Sequence, residues 1–201
     1  MMGLIGKKIG MSQIFKEDGK IMPISIIEAG PCIILGLSEK KVKIGFGSVK
    51  EKNVKKPQLG IFKKLNTPPR KIIKEFIKDS QEYKIGQELT VDFFKQGDFV
   101  DVSGRSIGKG FQGGMKRWHW KGGPRTHGST SKRRVGSVGS SATPSRVFRG
   151  HHMPGHMGNK QITVQNLEII KVLPEKNIIC VKGAIPGPKN HYVIVKRAKK
   201  K

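Results

Sequence analysis

The residues best equipped for chemistry crowd into one stretch of this chain. Five of the six histidines, His119, His127, His151, His152 and His156, fall between residues 104 and 158. The run His151-His152-Met153-Pro154-Gly155-His156 has the density of a metal site. Zinc sites, however, usually take four nitrogen or sulfur ligands with cysteine or carboxylate help. This stretch holds no Cys, Asp or Glu, so no metal is expected. A histidine and a lysine could also form an acid–base pair that cleaves RNA. Such a pair must be held rigidly beside a scissile phosphate, and a glycine-rich chain offers no sign of that frame. No catalytic residue is assigned. The remaining reading is that the imidazoles donate to phosphates and stack.

Two glycine patterns point to phosphate and then fail. Gly108-Lys109-Gly110-Phe111-Gln112-Gly113 matches GxGxxG after a run that reads as a strand. A dinucleotide site also needs a helix to follow and an acid about 20 residues on for the ribose. No acid occurs before Glu168. Gly104-Arg105-Ser106-Ile107-Gly108-Lys109-Gly110 resembles a phosphate loop but is one residue short, with Gly where Ser or Thr should bind magnesium. There is no GxSxG, no HExxH and no acidic pair for two-metal chemistry. No cofactor and no small-molecule substrate are expected.

Charge gives the same stretch its purpose. The chain of 201 residues carries 40 Lys and Arg against 14 Asp and Glu, a net charge of +26. Such an excess favours a polyanion as partner, and each neutralised phosphate adds affinity by releasing counterions. The excess is uneven. Residues 1–101 hold 19 bases and 12 acids, and residues 168–201 hold 9 and 2. Residues 102–167 hold 12 bases and no acid, so they contain no internal ion pair. Gly104–Gly158 also contains 13 of the 26 glycines and few aliphatics. It cannot bury enough apolar area to offset the entropy of ordering, and alone it is expected to be disordered or loosely extended. Beside RNA it can order. Lys132-Arg133-Arg134 sits among serine and threonine hydroxyls, the usual phosphate and sugar contact set. Phe111, Trp118, Trp120 and Phe148 could stack on unpaired bases. Equally, Trp118 and Trp120 could pack the base of this arm against the rest of the fold. The terminal Lys196–Lys201 reads as a tail lying on a nucleic-acid backbone or as a free solvated end.

The flanking parts must position this arm, and they read as β. Ile21–Glu28, Cys32–Leu37, Val42–Phe46, Leu89–Phe94 and Phe99–Val102 are short, β-branched or aromatic runs bounded by turn residues. Gln96-Gly97-Asp98 is a turn signal. Ile162–Val172, a turn at Pro174–Asn177, Ile178–Lys182 and Tyr192–Lys196 follow the arm. Many short strands suggest a barrel or sandwich, with the last strands pairing with the first and the arm inserted between strands. Lys56–Leu65 is a candidate short helix. Periodicity leaves Arg70–Lys78 open between helix and strand. Cys32 and Cys180 sit in apolar runs and read as small core residues, too few for a zinc or disulfide framework. The N-terminus shows no apolar signal core, and no apolar run approaches the ~20 residues of a membrane span. No membrane partner is expected, and the compartment reads as cytoplasmic.

The order of motifs is familiar. Gly3-Leu4-Ile5-Gly6-Lys7-Lys8-Ile9-Gly10-Met11-Ser12-Gln13-Ile14-Phe15 closely resembles the opening of bacterial-type large-subunit ribosomal protein three. So do Gly108–Gly113 with Lys116-Arg117-Trp118, and Thr126-His127-Gly128-Ser129. Arg134–Gly139, Thr143-Pro144, Arg146–Gly150, Met153–Asn159 and Val181–Gly187 continue the likeness along essentially the whole chain. The resemblance implies a mainly β fold: a six-stranded barrel of the translation-protein type, a small α+β excursion at about 52–95, and a long extended arm. The barrel domain would comprise 1–103 and 159–201, and the arm 104–158. It also implies strand for Arg70–Ile77. As a member of such a family, the chain would be a structural constituent of the large ribosomal subunit rather than an enzyme. It would bind large-subunit (23S-type) rRNA, support early assembly and position RNA near the peptidyl transferase centre. Its partners would be that rRNA and neighbouring large-subunit proteins.

The expected RNA contacts follow from both lines. Arg105, Lys109, Lys116, Arg117, Lys121, Arg125, Lys132, Arg133, Arg134, Arg146 and Arg149 supply charge. Trp118, His119, His127, His151, His152 and His156 supply rings and donors. Relatives often carry Gly-Gln-Asn-Gln-Thr-Pro at the arm's tip, where the second Gln can be methylated. Here the tip reads Gly139-Ser140-Ser141-Ala142-Thr143-Pro144. Ala142 cannot accept that modification, so Ser140, Ser141 and Ala142 are expected to meet RNA through backbone and hydroxyl groups.

Overall fold

The computed structural model describes residues 2–16, 18–79 and 82–200. Along the chain run β1 (Gly3–Phe15), β2 (Ile21–Ala29), β3 (Cys32–Leu37), β4 (Lys41–Ser48), α1 (Lys56–Lys64), β5 (Arg70–Ile77), β6 (Glu88–Leu89) and β7 (Phe99–Arg105). Then come β8 (Gly110–Gln112), α2 (Gly114–Trp118), β9 (Gly155–Met157), β10 (Gln161–Leu173), β11 (Ile178–Lys182) and β12 (Tyr192–Arg197). The chain divides into two units, residues 1–106 with 161–201, and residues 107–160.

In the first unit β1, β12, β7, β10, β11 and β2 close in that order into an antiparallel barrel. The expected six-stranded barrel is therefore present, and the last strand does pair with the first, Gly3 opposite Lys196. Alternation explains the closure. In β7 every second residue points inward, and Val100 and Val102 are fully buried, as are Val193 and Val195 of β12. β1 was not recognisable as a strand because its glycines break the apolar alternation. Gly6 is there for space: a Cβ on it would lie 2.8 Å from both the Glu28 carbonyl and Ile27 Cγ2. Lys8, nearly buried, donates from Nζ to the carbonyls of Ile185 (3.0 Å) and Gly187 (3.1 Å). Burial lowers its pKa.

A second sheet, ordered β5-β4-β3-β6, begins at Cys32. It explains the unbroken apolar run of β3, whose two faces are both covered. Cys32 and Ile34 belong to the main core with barrel residues such as Ile5 and Ile27. Ile33 and Leu35 meet Phe62 of α1 in a separate cluster. Helix α1 takes Pro57 in its first turn and Lys63 and Lys64 in its last, placements that suit missing donors and the helix dipole. Arg70–Ile77 is a strand, as the resemblance implied. Cys32 and Cys180 are free and buried among apolar neighbours, and burial pushes the Cys32 thiol up to about 11.

One expected strand is corrected. Leu89–Phe94 is not continuous β: β6 stops at Leu89, and Val91–Phe93 forms a single 3-10 turn. Val91 and Phe94 both enter the core, at 0% and 2% exposure. Residues three apart share a side on a turn but face opposite ways on a strand, so core packing overrides β propensity here. The Gln96–Asp98 turn is present, with Asp98 N–H donating to the Lys95 carbonyl at 3.2 Å.

Candidate nucleic-acid interface

The chain leaves β7 at Arg105 and returns to β10 at Gln161, and these two residues are directly paired. The 55 residues between them, Ser106 and the unit 107–160, are thus rooted on a single rung of the barrel's ladder. Within 107–160, all of it described, only Gly114 is buried. No member of either hydrophobic cluster lies there. Gly104, read as the start of the arm, is buried in β7.

What order it has comes from short local devices. Strands β8 and β9 pair, with Phe111 opposite His156 and Gln112 opposite Gly155. Lys109 N–H donates to the Met157 carbonyl at 2.9 Å. The Gln112 side chain donates back to the Lys109 carbonyl. Within the glycine pattern 108–113, Gly110–Gln112 form a strand of this ribbon and Gly113 is the N-cap of the five-residue helix that follows. Helix α2 then carries Lys116 and Arg117 and ends at His119, whose φ of 59° makes it a left-handed cap.

The rings are organised among themselves. Trp118 stacks on His152 with centroids 4.0 Å apart and planes 6° apart. Its Nε1 donates to the Met153 carbonyl at 2.8 Å, and Arg117 Nη1 donates to the same oxygen at 2.6 Å. The Arg117 guanidinium lies 4.9 Å from the Trp118 ring centroid. The six-membered ring of Trp120 lies over Gly114, where any Cβ would overlap it. Trp118 and Trp120 thus each rest on a neighbour within 107–160. Met153 was missed because it acts through its carbonyl, which no side-chain pattern betrays.

Elsewhere the expected contact residues stand out to solvent. Arg105, Lys109, Lys116, Trp118, His119, Lys121, Arg125, His127, Lys132, Arg133 and Arg134 are exposed, and Arg117 is half-buried. So are Ser140, Ser141, Ala142, Arg146, Arg149, His151, His152 and His156 exposed. Arg146 sits 5.6 Å over the Phe148 ring. The Lys132 carbonyl accepts from Gly123 N–H at 3.2 Å, which bends 122–132 back on itself. An open cleft of about 660 Å³ lies between Trp120, Arg134, His151 and His152. His151 and His152 meet there, whereas His156 lies on β9 opposite Phe111. Among the described residues no three His, Cys, Asp or Glu side chains gather as metal ligands.

The C-terminal tail is partly committed to the first unit. Ala198 N–H donates to the Phe99 carbonyl at 2.9 Å, and Lys199 N–H to Asp101 Oδ2 at 3.4 Å. Arg197 lies 4.6 Å over Phe93, and Lys196 Nζ 5.5 Å over Phe76. Among the described residues no helix is long and apolar enough to cross a membrane.

The arrangement presents cations, hydroxyls and supported rings on a segment with no acid and no core. Comparison with known proteins agrees in kind. The family model for ribosomal protein L3 matches residues 71–176. The chain is 48% identical to large ribosomal subunit protein uL3 of Brachyspira pilosicoli, over 100% of this chain and 95% of that protein. It is 47% identical to the protein of the same name from Brachyspira hyodysenteriae (strain ATCC 49526 / WA1), over 100% of this chain and 96% of that one. The chain belongs to the ribosomal protein L3 family.

Proposed function

We propose that this chain is a structural constituent of the large ribosomal subunit that binds large-subunit rRNA through residues 104–158. Membership makes it a ribosomal protein of a non-enzyme family. The barrel and second sheet serve as the folded body, and the arm carries most of the RNA contact. One observation carries this reading: 107–160 holds a single buried residue, and the surrounding 102–167 hold 12 bases and no acid. Such a segment gains order from phosphates rather than from burial. Arg, Lys, Ser and Thr groups fix its register on the backbone, and rings and glycine-rich turns meet irregular RNA. The finer roles follow from the resemblance. The protein joins the rRNA early in assembly, its tip at Ser140–Ala142 helps position RNA near the peptidyl transferase centre, and its other partners are neighbouring large-subunit proteins in the cytoplasm.

The test is the double variant Arg133→Ala with Arg134→Ala. Both side chains are exposed, so the melting temperature of the free protein should stay within about a degree or two, as for ordinary surface changes. Affinity for rRNA should fall, and the slope of log affinity against log salt should shrink by roughly 0.7–0.9 per lost phosphate contact. Subunit assembly should slow. A large loss of free-protein stability with unchanged RNA affinity would contradict the assignment.

A further inference from the structure

The cleft within residues 107–160 has a chemistry of its own. Its volume of about 660 Å³ lies in the range of small-ligand sites, roughly 300–1,000 Å³. Three rings line it, Trp120, His151 and His152, together with Arg134, Ser131 and Ser137. Trp120 and His152 arrive already backed on one face. Trp120 rests over Gly114. His152 rests on Trp118, which is itself held by the Met153 carbonyl. Rings held this way lose less side-chain freedom when a ligand stacks on them. No acid occurs anywhere in 102–167, so nothing in the arm opposes an anion at Arg134.

Flat supported rings, one cation and two hydroxyls match the three parts of a nucleotide: base, phosphate and sugar. A base inside a duplex is stacked on both faces and cannot enter such a cleft. An unpaired one can. We propose that the cleft takes a single unpaired nucleotide extruded from the bound RNA, its base against Trp120 and His152 and its phosphate at Arg134. This deepens, and rests on, the reading of 104–158 as the RNA-binding arm. It adds a preference for irregular RNA to an otherwise charge-driven contact.

The experiment uses the full-length protein and three RNA hairpins: one with a single bulged adenosine, one fully paired, and one with an abasic bulge. The bulged hairpin should bind about tenfold tighter than the paired one, the scale of one base stacked on an aromatic ring. The abasic bulge should bind no better than the paired hairpin. Trp120→Ala should abolish the preference, and Trp120→Phe should keep most of it. Because Trp120→Ala also removes the support of Gly114, a second variant fills the cleft instead. Gly136 lines it, and a Cβ there has nothing within 4 Å. Gly136→Leu should remove the preference while leaving affinity for the paired hairpin unchanged. Equal binding of bulged and paired hairpins by the native protein would overturn the proposal, as would a preference that survives both variants. Displacement of the bulged hairpin by micromolar adenosine monophosphate would make this a free-nucleotide site and overturn it too. If none of the three RNAs binds with salt dependence, the broader RNA-binding reading fails as well.

Discussion

The two units of this chain are made by different physics. Residues 1–106 and 161–201 hold both hydrophobic clusters, with Ile27, Ile34, Ile44, Val100, Ile169 and Ile179 at or near zero exposure. Acids and bases coexist there, and the ion pairs Lys43–Glu75 and Lys182–Glu168 occur at 3.5 and 3.3 Å. Residues 107–160 hold one buried residue, a glycine, and no acid. The first unit is specified by what it excludes from water. The second leaves its cations, hydroxyls and most of its rings at the surface. One chain can carry both because the second starts and ends on a single paired rung, Arg105 opposite Gln161, and so asks nothing of the barrel's closure.

The widest separation between the units should come from truncating one apolar side chain in each. Ile27 is fully buried, and Ile27→Ala should cost about 2–5 kcal/mol in denaturant unfolding. Phe148 is 61% exposed, and Phe148→Ala should cost under about 0.5 kcal/mol. Comparable losses would erase the distinction.

A somewhat smaller effect comes from pH. Burial holds the folded Cys32 thiol at about 11, well above an exposed thiol. The unfolded chain therefore gives up its proton first as pH rises. The contribution is fully present below about pH 9 and disappears as pH climbs toward 11, a loss of about 2–3 kcal/mol. Equilibrium unfolding of the native protein and Cys32→Ala across that window checks it, because the variant should lack this part of the alkaline slope. A thiol reagent at neutral pH should reach Cys32 only after unfolding.

The smallest effect sharpens the picture of the arm. A Cβ on Gly155 would sit 2.7 Å from Arg117 Nη1, the far end of a flexible side chain. Gly155→Ala should loosen the Arg117–Met153 contact and leave the unfolding midpoint unchanged within about 0.5 kcal/mol. Tryptophan fluorescence should report the local change, since Trp118 donates to the same carbonyl.

Much of the first unit was legible in sequence, because burial leaves periodic traces. β3 and β11 fall on their expected bounds, and α1 ends one residue short of the expected Leu65. β1 escaped notice because Gly3 and Gly6 serve close approach and Gly10 sits at a register shift against β2, none of which shows as alternation. Leu89–Phe94 misled because strand-forming residues there pack on a turn. Of the arm, the sequence disclosed chemistry but not geometry. Absent acids and clustered arginines are visible as letters. The seat of Trp120 on Gly114, the stack of Trp118 on His152 and the use of the Met153 carbonyl depend on contacts between residues that no period links.

In the proposed division of labour the barrel and second sheet carry the fold and residues 104–158 carry the RNA contact. A chain in which a two-residue turn replaces residues 106–160 separates the two roles, because Arg105 and Gln161 are already paired and suit a short hairpin connection. Unfolding free energy and rRNA affinity would be measured on the same shortened chain. The shortened chain should keep an unfolding free energy within about 1 kcal/mol of the full chain and lose most of its salt-dependent rRNA binding. A shortened chain that unfolds several kcal/mol more easily, or that binds rRNA as tightly as before, would contradict that division.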